Sequence, residues 1–297
     1  MKPAPFDYHA PDSLDEVLAL LAEHGDESKV IAGGQSLVPM LAMRLARPTQ
    51  LVDVTGVGAL AGVSLAGDVL RIGATTTERE LERSAEVSGV PALVEALPLI
   101  GHMAIRNRGT VGGSLAHADA SGELPAVAVA TGATMRVRGP DGDREVAADD
   151  FFLGHYTTAL DAEDCLLGVD VPTTNGSSGS TGWAVQEVAR RHGDFALVGV
   201  VTMVALDGSG AIAEARICQF GVSERPHRDA GVEASLVGAT PTDETFAGAA
   251  ADAVRDLEPA DDVHGTAEFR RHLAEVTVRR ALATATERAR RGEGSRA

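Results

Sequence analysis

The chain has 297 residues, enough for two or three compact units, each with its own core. Lys+Arg 26 against Asp+Glu 43 gives a formal charge of −17, a surface that repels nucleic acid and anionic membranes, so neither is expected as a partner. The aromatic content is low, with seven Phe, two Tyr and one Trp, which removes the stacking platforms of a single-strand nucleic-acid binder.

No basic-then-apolar segment opens the sequence, and no apolar run approaches about 18 residues, so membrane insertion is not expected and a cytoplasmic protein is. Cys165 and Cys218 stand far apart with no CxxC or Cys/His metal spacing. A cluster held wholly within this chain would need about four ligands. Both cysteines are expected as small buried apolar residues. The histidines show no HxxxH or HExxH spacing, so no metal site is expected.

In chain order, Ser13 and Glu16 have capping-box spacing, and Leu14, Val17, Leu18 and Leu21 recur at helical spacing. Gly25 stands where that helix should stop. Lys29–Ala32 reads as a short buried strand, Gly33–Ser36 as a turn, and Leu37–Leu45 as a short buried helix stopped by Pro48. Gln50–Val54 reads as a second strand, which completes a small βαβ-like unit. From Gly56 the texture changes. Val69–Ile72 is strand-like, Thr77 and Glu80 repeat the capping-box spacing, and Pro91–Leu97 is an apolar helical stretch. A second glycine-rich element, Asn107–Ser114, precedes the Ala/Val-rich run Ala126–Ala130. Thr134–Arg138 and Glu145–Ala147 flank the hairpin turn Gly139-Pro140-Asp141-Gly142, and Leu166–Val171 reads as a strand. Thr173–Gly182 has linker composition and divides the chain near residue 177. Beyond it, Ala184–Ala189, Ala196–Leu206 and Ala211–Phe220 read as strands. Thr242–Arg255 and Ala267–Glu287 read as helices, and the tail from Arg288 as disordered.

Two stretches carry candidate chemistry. In Ala32-Gly33-Gly34-Gln35-Ser36, adjacent glycines permit a positive φ and close approach of a ligand to backbone N–H groups. Thr110-Val111-Gly112-Gly113-Ser114 repeats the grammar of β-branched residue, Gly-Gly and hydroxyl. Alone, each is compatible with a plain tight turn. Together they are compatible with a diphosphate bridged between two glycine turns, or with two structural corners.

These stretches, AGGQSLVPMLAMRLARP and RNRGTVGGSLAHADASGELP, resemble the two flavin-binding signatures of the molybdenum hydroxylases, the xanthine dehydrogenase and aerobic carbon monoxide dehydrogenase family. Glu187–Val200, Gly221–Arg228 and Asp261–Leu282 resemble the C-terminal domain of that family's FAD-binding medium subunit, and the match runs in order along nearly the whole chain.

The resemblance implies an α+β fold. A two-lobed FAD-binding domain of the PCMH type would occupy residues 1–176, with lobes at about 1–56 and 57–176. A C-terminal domain with a three-stranded antiparallel sheet and helices would occupy residues 183–287, and a disordered tail residues 288–297. It also implies site residues. Val30, Ile31, Ala32, Gly33, Gly34, Gln35, Ser36 and Leu37 would wrap the pyrophosphate, and Thr110, Val111, Gly112, Gly113 and Ser114 would form the second phosphate-side loop. Glu123 would meet the ribityl or adenosine end, Leu166 and Gln186 fall at flavin-contacting positions, and Ile100 and Phe195 are candidates to cover the flavin ring. Asp119 and His117 are expected to be architectural, on a phosphate-facing loop, and the Arg190-Arg191-His192 cluster reads either as strand-end solvation or ion pairing or as an interface with a partner subunit. No catalytic residue and no metal ligand is expected.

The implied function is that of an oxidoreductase subunit that binds FAD non-covalently. It would pass electrons from [2Fe–2S] clusters on a small partner subunit to a terminal acceptor. Molybdopterin would reside on a large partner subunit, in a dimer of heterotrimers. The competing readings are a self-sufficient FAD-dependent oxidoreductase and a flavin-free structural subunit.

Overall fold

The computed structural model describes residues 2–174 and 180–292. The first lobe is a parallel three-stranded sheet in the order β1 (Asp7–His9), β3 (Gln50–Asp53), β2 (Ser28–Ile31). Helix α1 (Leu14–His24) starts where the Ser13 hydroxyl accepts from the Glu16 N–H and stops at Gly25 with φ 50°. It buries Val17 and Leu21 against β3, in a small core with Val52 and Val54. Helix α2 (Leu37–Ala42) follows the first glycine turn and completes the expected βαβ unit. Burial of that helix is corrected. Only Leu41 is buried, while Val38 is 51% and Leu45 71% exposed, because α2 lies at the rim of a cleft and not between layers.

The second lobe is built on a five-stranded antiparallel sheet in the order β4 (Val63–Ala66), β5 (Val69–Gly73), β10 (Cys165–Pro172), β6 (Thr134–Gly139), β7 (Gly142–Ala147). The expected hairpin at Gly139–Gly142 joins β6 to β7. Around the sheet lie α3 (Glu78–Arg83), α4 (Pro91–Ala96), α5 (Met103–Arg106), α6 (Val111–His117), α7 (Glu123–Thr131) and α8 (Ala148–Phe151), with a small hairpin of β8 (Phe152–Gly154) and β9 (Thr157–Thr158). Thr77 and Glu80 form a complete capping box at α3. The Ala/Val-rich run is the centre of α7, a helix buried along its whole length.

In the C-terminal domain, β11 (Ser180–Ala189), β12 (Ala196–Leu206) and β13 (Ile212–Phe220) form the expected antiparallel meander, and the two-residue β14 (His227–Arg228) adds a fourth strand. Helices α9 (Ala230–Leu236), α10 (Asp243–Ala253) and α11 (Ala267–Arg291) cover one face. Strand β11 begins inside the expected linker, at Ser180, and residues 175–179 of that linker lie outside the described residues. The expected tail is also corrected. Helix α11 runs on through Arg288 to Arg291 and closes at Gly292 in the left-handed region, while residues 293–297 lie outside the described residues.

The two faces of β11 belong to different cores. Trp183 and Val185 join the second-lobe core with Met203 and Phe220 from the neighbouring strands. Ala184 joins Val200, Ile217 and α11 in the other core. The carboxylate of Glu95 on α4 accepts from the Val185 N–H at 3.0 Å and pairs with Arg288. Burial of this shared apolar face fixes the second domain against the first.

Candidate flavin site

The first lobe, the second lobe and the β11–β12 turn enclose a cleft of about 950 Å³, at the upper end of the usual range for small-molecule sites. Both glycine turns line it. Where they meet, a Cβ on Gly33 would lie 2.1 Å from the Arg108 carbonyl oxygen and 2.8 Å from the Gly109 Cα. Gly33 therefore allows two backbone segments from different lobes to touch. Gly34 has φ 70°, the left-handed region that favours glycine.

The two turns are chemically unlike. The N–H groups of Gly33, Gly34, Gln35 and Ser36 have no acceptor among the described residues, and neither does the Ser36 hydroxyl. Consecutive unpaired backbone donors beside a left-handed glycine form an anion-binding concavity. In the second turn the donors are engaged: Val111 N–H to Thr76 O at 2.9 Å, Gly112 N–H to Ala74 O at 2.9 Å, and Gly113 N–H to the Thr110 hydroxyl at 3.1 Å. Thr110 is thus the cap of α6. A Cβ on Gly112 would sit 2.5 Å from that of Ala74, so the missing side chain there serves packing. This turn offers the Ser114 hydroxyl and a smooth backbone surface.

Of the residues expected from sequence, Val30 through Leu37, Ile100, Thr110, Gly112, Gly113, Ser114, Glu123 and Leu166 all line the cleft. Val111 is buried behind it as the first residue of α6. Gln186 faces the other way, with its side-chain amide 3.3 Å from the Thr284 hydroxyl on α11. Strand alternation explains the outcome, since odd positions of β11 face the first domain and even ones face the helices. Its neighbour Glu187 shares the face of Trp183 and Val185, and its buried Oε2 has no partner.

Ile100 of the second lobe and Gly193 and Phe195 of the β11–β12 turn share the cleft lining, with Gly193 close to Gly101 and His102, and Phe195 is 68% exposed. Arg106 fixes this corner by donating to the Ile100 carbonyl at 2.9 Å and to Glu82 at 3.1 Å, so its charge is already engaged. Also on the lining, His117 and Tyr156 pack with ring centroids 4.8 Å apart and planes tilted by 31°. Asp119 accepts from the Ser121 N–H at 2.9 Å, as expected of a residue that shapes its loop. Tyr156 was not legible from sequence: its lone aromatic ring sits in a loop without a motif. Three buried carboxyls are perturbed, two of which, Glu78 and Glu123, line the cleft. Burial pushes Glu78 and Glu123 up to about 8 and Glu187 up to about 7.

Free backbone donors, a close-contact glycine and a cleft of this volume fit a long dinucleotide with a central diphosphate. Among the described residues no cluster of three or more His, Cys, Asp or Glu side chains could hold a metal ion, and both cysteines are buried. No helix among them is long and apolar enough to cross a membrane.

The architecture is that of a two-lobed flavoprotein domain joined to a sheet-and-helix domain. Residues 4–174 match the FAD binding domain in molybdopterin dehydrogenase, and residues 183–285 match the CO dehydrogenase flavoprotein C-terminal domain. The chain is 40% identical to the 6-hydroxypseudooxynicotine dehydrogenase complex subunit alpha of Paenarthrobacter nicotinovorans, over 98% of this chain and 97% of that one. It is 37% identical to the carbon monoxide dehydrogenase medium chain of Hydrogenophaga pseudoflava, over 97% and 99%. Among solved structures it resembles carbon monoxide dehydrogenase from Hydrogenophaga pseudoflava with a TM-score of 0.93 and 38% identity, covering 97% of this chain and 99% of that one. It also resembles quinoline 2-oxidoreductase from Pseudomonas putida 86, with a TM-score of 0.91 and 40% identity over 97% and 99%. The chain belongs to the carbon monoxide dehydrogenase-like medium chains of the molybdenum hydroxylases, and FAD is the cofactor of its N-terminal domain.

Proposed function

We propose that this chain is the electron-transfer subunit of a molybdenum hydroxylase complex. FAD, when bound, supplies electron transfer between [2Fe–2S] clusters of a small partner subunit and a terminal acceptor. A large partner subunit carries the molybdenum cofactor, and the whole forms a dimer of heterotrimers in the cytoplasm. The relatives named as subunit or medium chain of dehydrogenase complexes support this assignment. The FAD-binding domain would span residues 1–176 and the C-terminal domain 183–287.

One observation carries the assignment of the cofactor's position: four consecutive backbone donors, Gly33 to Ser36, lack acceptors in a cleft between two lobes. They would hold the diphosphate, with the hydroxyls of Ser36 and Ser114 as further donors. Ile100 and Phe195 would cover the flavin ring from the two domains and keep water off it. Glu123 would meet the ribityl or adenosine portion, and Leu166 would pack against the cofactor.

The test is to purify the full chain with and without its partner subunits and record the visible flavin spectrum before and after denaturation. Stoichiometric flavin, released on unfolding, is the expected result. A chain that stays colourless when supplied with FAD in the presence of both partners would overturn the proposal.

A further inference from the structure

The cleft poses an electrostatic problem. Carboxyl side chains outnumber cations on its walls, where the cations are Lys29 and Arg47. A diphosphate is a strong anion, and a site of this polarity repels it unless the nearest acids are uncharged.

Glu78 lies beside the junction of the two turns. Its backbone N–H donates to the Gly109 carbonyl at 2.9 Å, and its carboxyl lies under Gly109, where a Cβ would come within 2.7 Å of Oε2. Gly109 in turn touches Gly33. The Glu78 side chain lines the cleft and is 4% exposed, and its Oε2 has no hydrogen-bond partner. A buried carboxyl oxygen without a partner costs free energy in the empty protein, and a ligand that supplies the partner recovers it.

We propose that Glu78 is a cofactor-contacting acid that works in its protonated form, giving its O–H to an oxygen of the bound dinucleotide beside the second glycine turn. The inference rests on the FAD reading above. A protonated carboxyl adds a donor where the N–H groups of Val111, Gly112 and Gly113 are already engaged, and it removes a negative charge from the diphosphate's surroundings.

The groups around Glu78 keep it neutral. From α5, Arg106 is the one cation that favours the charged form, but its guanidinium is held by Glu82 and by the Ile100 carbonyl. On its own helix Glu80 is taken by the Thr77 N–H at 2.8 Å, and Arg79 pairs with Glu82. Glu86, on the turn that follows α3, is held by the Ser84 hydroxyl. From α7, Glu123 adds a second buried acid. Arg108, on the second turn, abuts Gly33 through its carbonyl oxygen. Burial dominates, and the carboxyl sits at about 8.

Binding that requires the acid form is constant below that value and weakens above it, by about tenfold from pH 7 to pH 9. The experiment titrates the flavin-free full-length chain with FAD, by quenching of flavin fluorescence, across this range. Wild type should lose affinity about tenfold on the alkaline side. Glu78→Gln, which keeps a donor but cannot ionise, should lose the part of the fall that Glu78 causes and show a clearly shallower profile, and Glu123→Gln should retain that part. An alkaline fall of full wild-type size in Glu78→Gln, or one that disappears in Glu123→Gln instead, would overturn the role of Glu78. A wild-type chain that binds no FAD at any pH, with or without its partners, would overturn the FAD reading and this inference with it.

Discussion

Replacing Gly33 with alanine tests the contact between the two lobes. The new Cβ would lie 2.1 Å from the Arg108 carbonyl oxygen and 2.8 Å from the Gly109 Cα. Both are backbone atoms that cannot rotate away, so the turns must part by about 1 Å to reach ordinary contact. Overpacking of this kind costs about 1–3 kcal/mol. If that strain falls on the bound form, FAD affinity drops by about 5- to 150-fold. Gly34→Ala is the control. Its Cβ would come closest to the Val38 Cγ2 at 3.1 Å, on an exposed side chain free to move, and would touch Ile31 at an ordinary 3.5 Å, leaving the strain of φ 70° at about 1–2 kcal/mol. Fluorescence titration gives the affinity, and thermal unfolding by circular dichroism shows whether the fold survives. A Gly33→Ala chain with wild-type affinity and an unchanged melting curve would refute the argument.

Other outcomes follow from the same structure. Glu95→Ala removes the acceptor of the Val185 N–H and the carboxylate partner of Arg288, and should destabilise the chain by about 1–3 kcal/mol in urea unfolding. An unchanged midpoint would show that Glu95 does not link the domains. Thr77→Ala removes the α3 capping box and should cost about 0.5–2 kcal/mol in the same assay. Glu123 and Glu187 keep protons in the folded state up to about 8 and about 7, against an ordinary 4.5 once unfolded. The folded chain therefore binds more protons than the unfolded one between these limits. Their contribution is fully present below the ordinary value and is lost as pH rises through 7 and 8. Urea midpoints of the flavin-free chain should fall from about pH 5 to about pH 8. Glu187→Gln should reduce that slope, and an equal slope would count against a buried neutral Glu187.

Much of the architecture was legible because local chemistry and tertiary packing agree. Ser13 and Gly25 bound α1, the Thr77–Glu80 pair caps α3, and Ala196–Leu206 coincides with β12. The site was legible as far as backbone grammar reaches, since glycine pairs at 33–34 and 112–113 do line one cleft. What spacing could not show is which backbone donors are free. The N–H groups of the second turn are consumed by Ala74, Thr76 and Thr110, a fact of tertiary packing. Gln186 and Glu187 differ by one residue, and a strand turns that single step into opposite faces. The Ala/Val-rich centre of α7 is buried all round, so it carries no period to distinguish helix from strand. Helix α2 reads as a core helix by its apolar residues, but it stands at the rim of the cleft with Val38, Met43 and Leu45 exposed.

The most direct measurement of the central claim is a crystal structure of the chain with FAD bound. The diphosphate oxygens should lie within hydrogen-bonding distance, about 2.7–3.2 Å, of the N–H groups from Gly33 to Ser36. A diphosphate seated on side-chain cations elsewhere, with those N–H groups left to solvent, would contradict it.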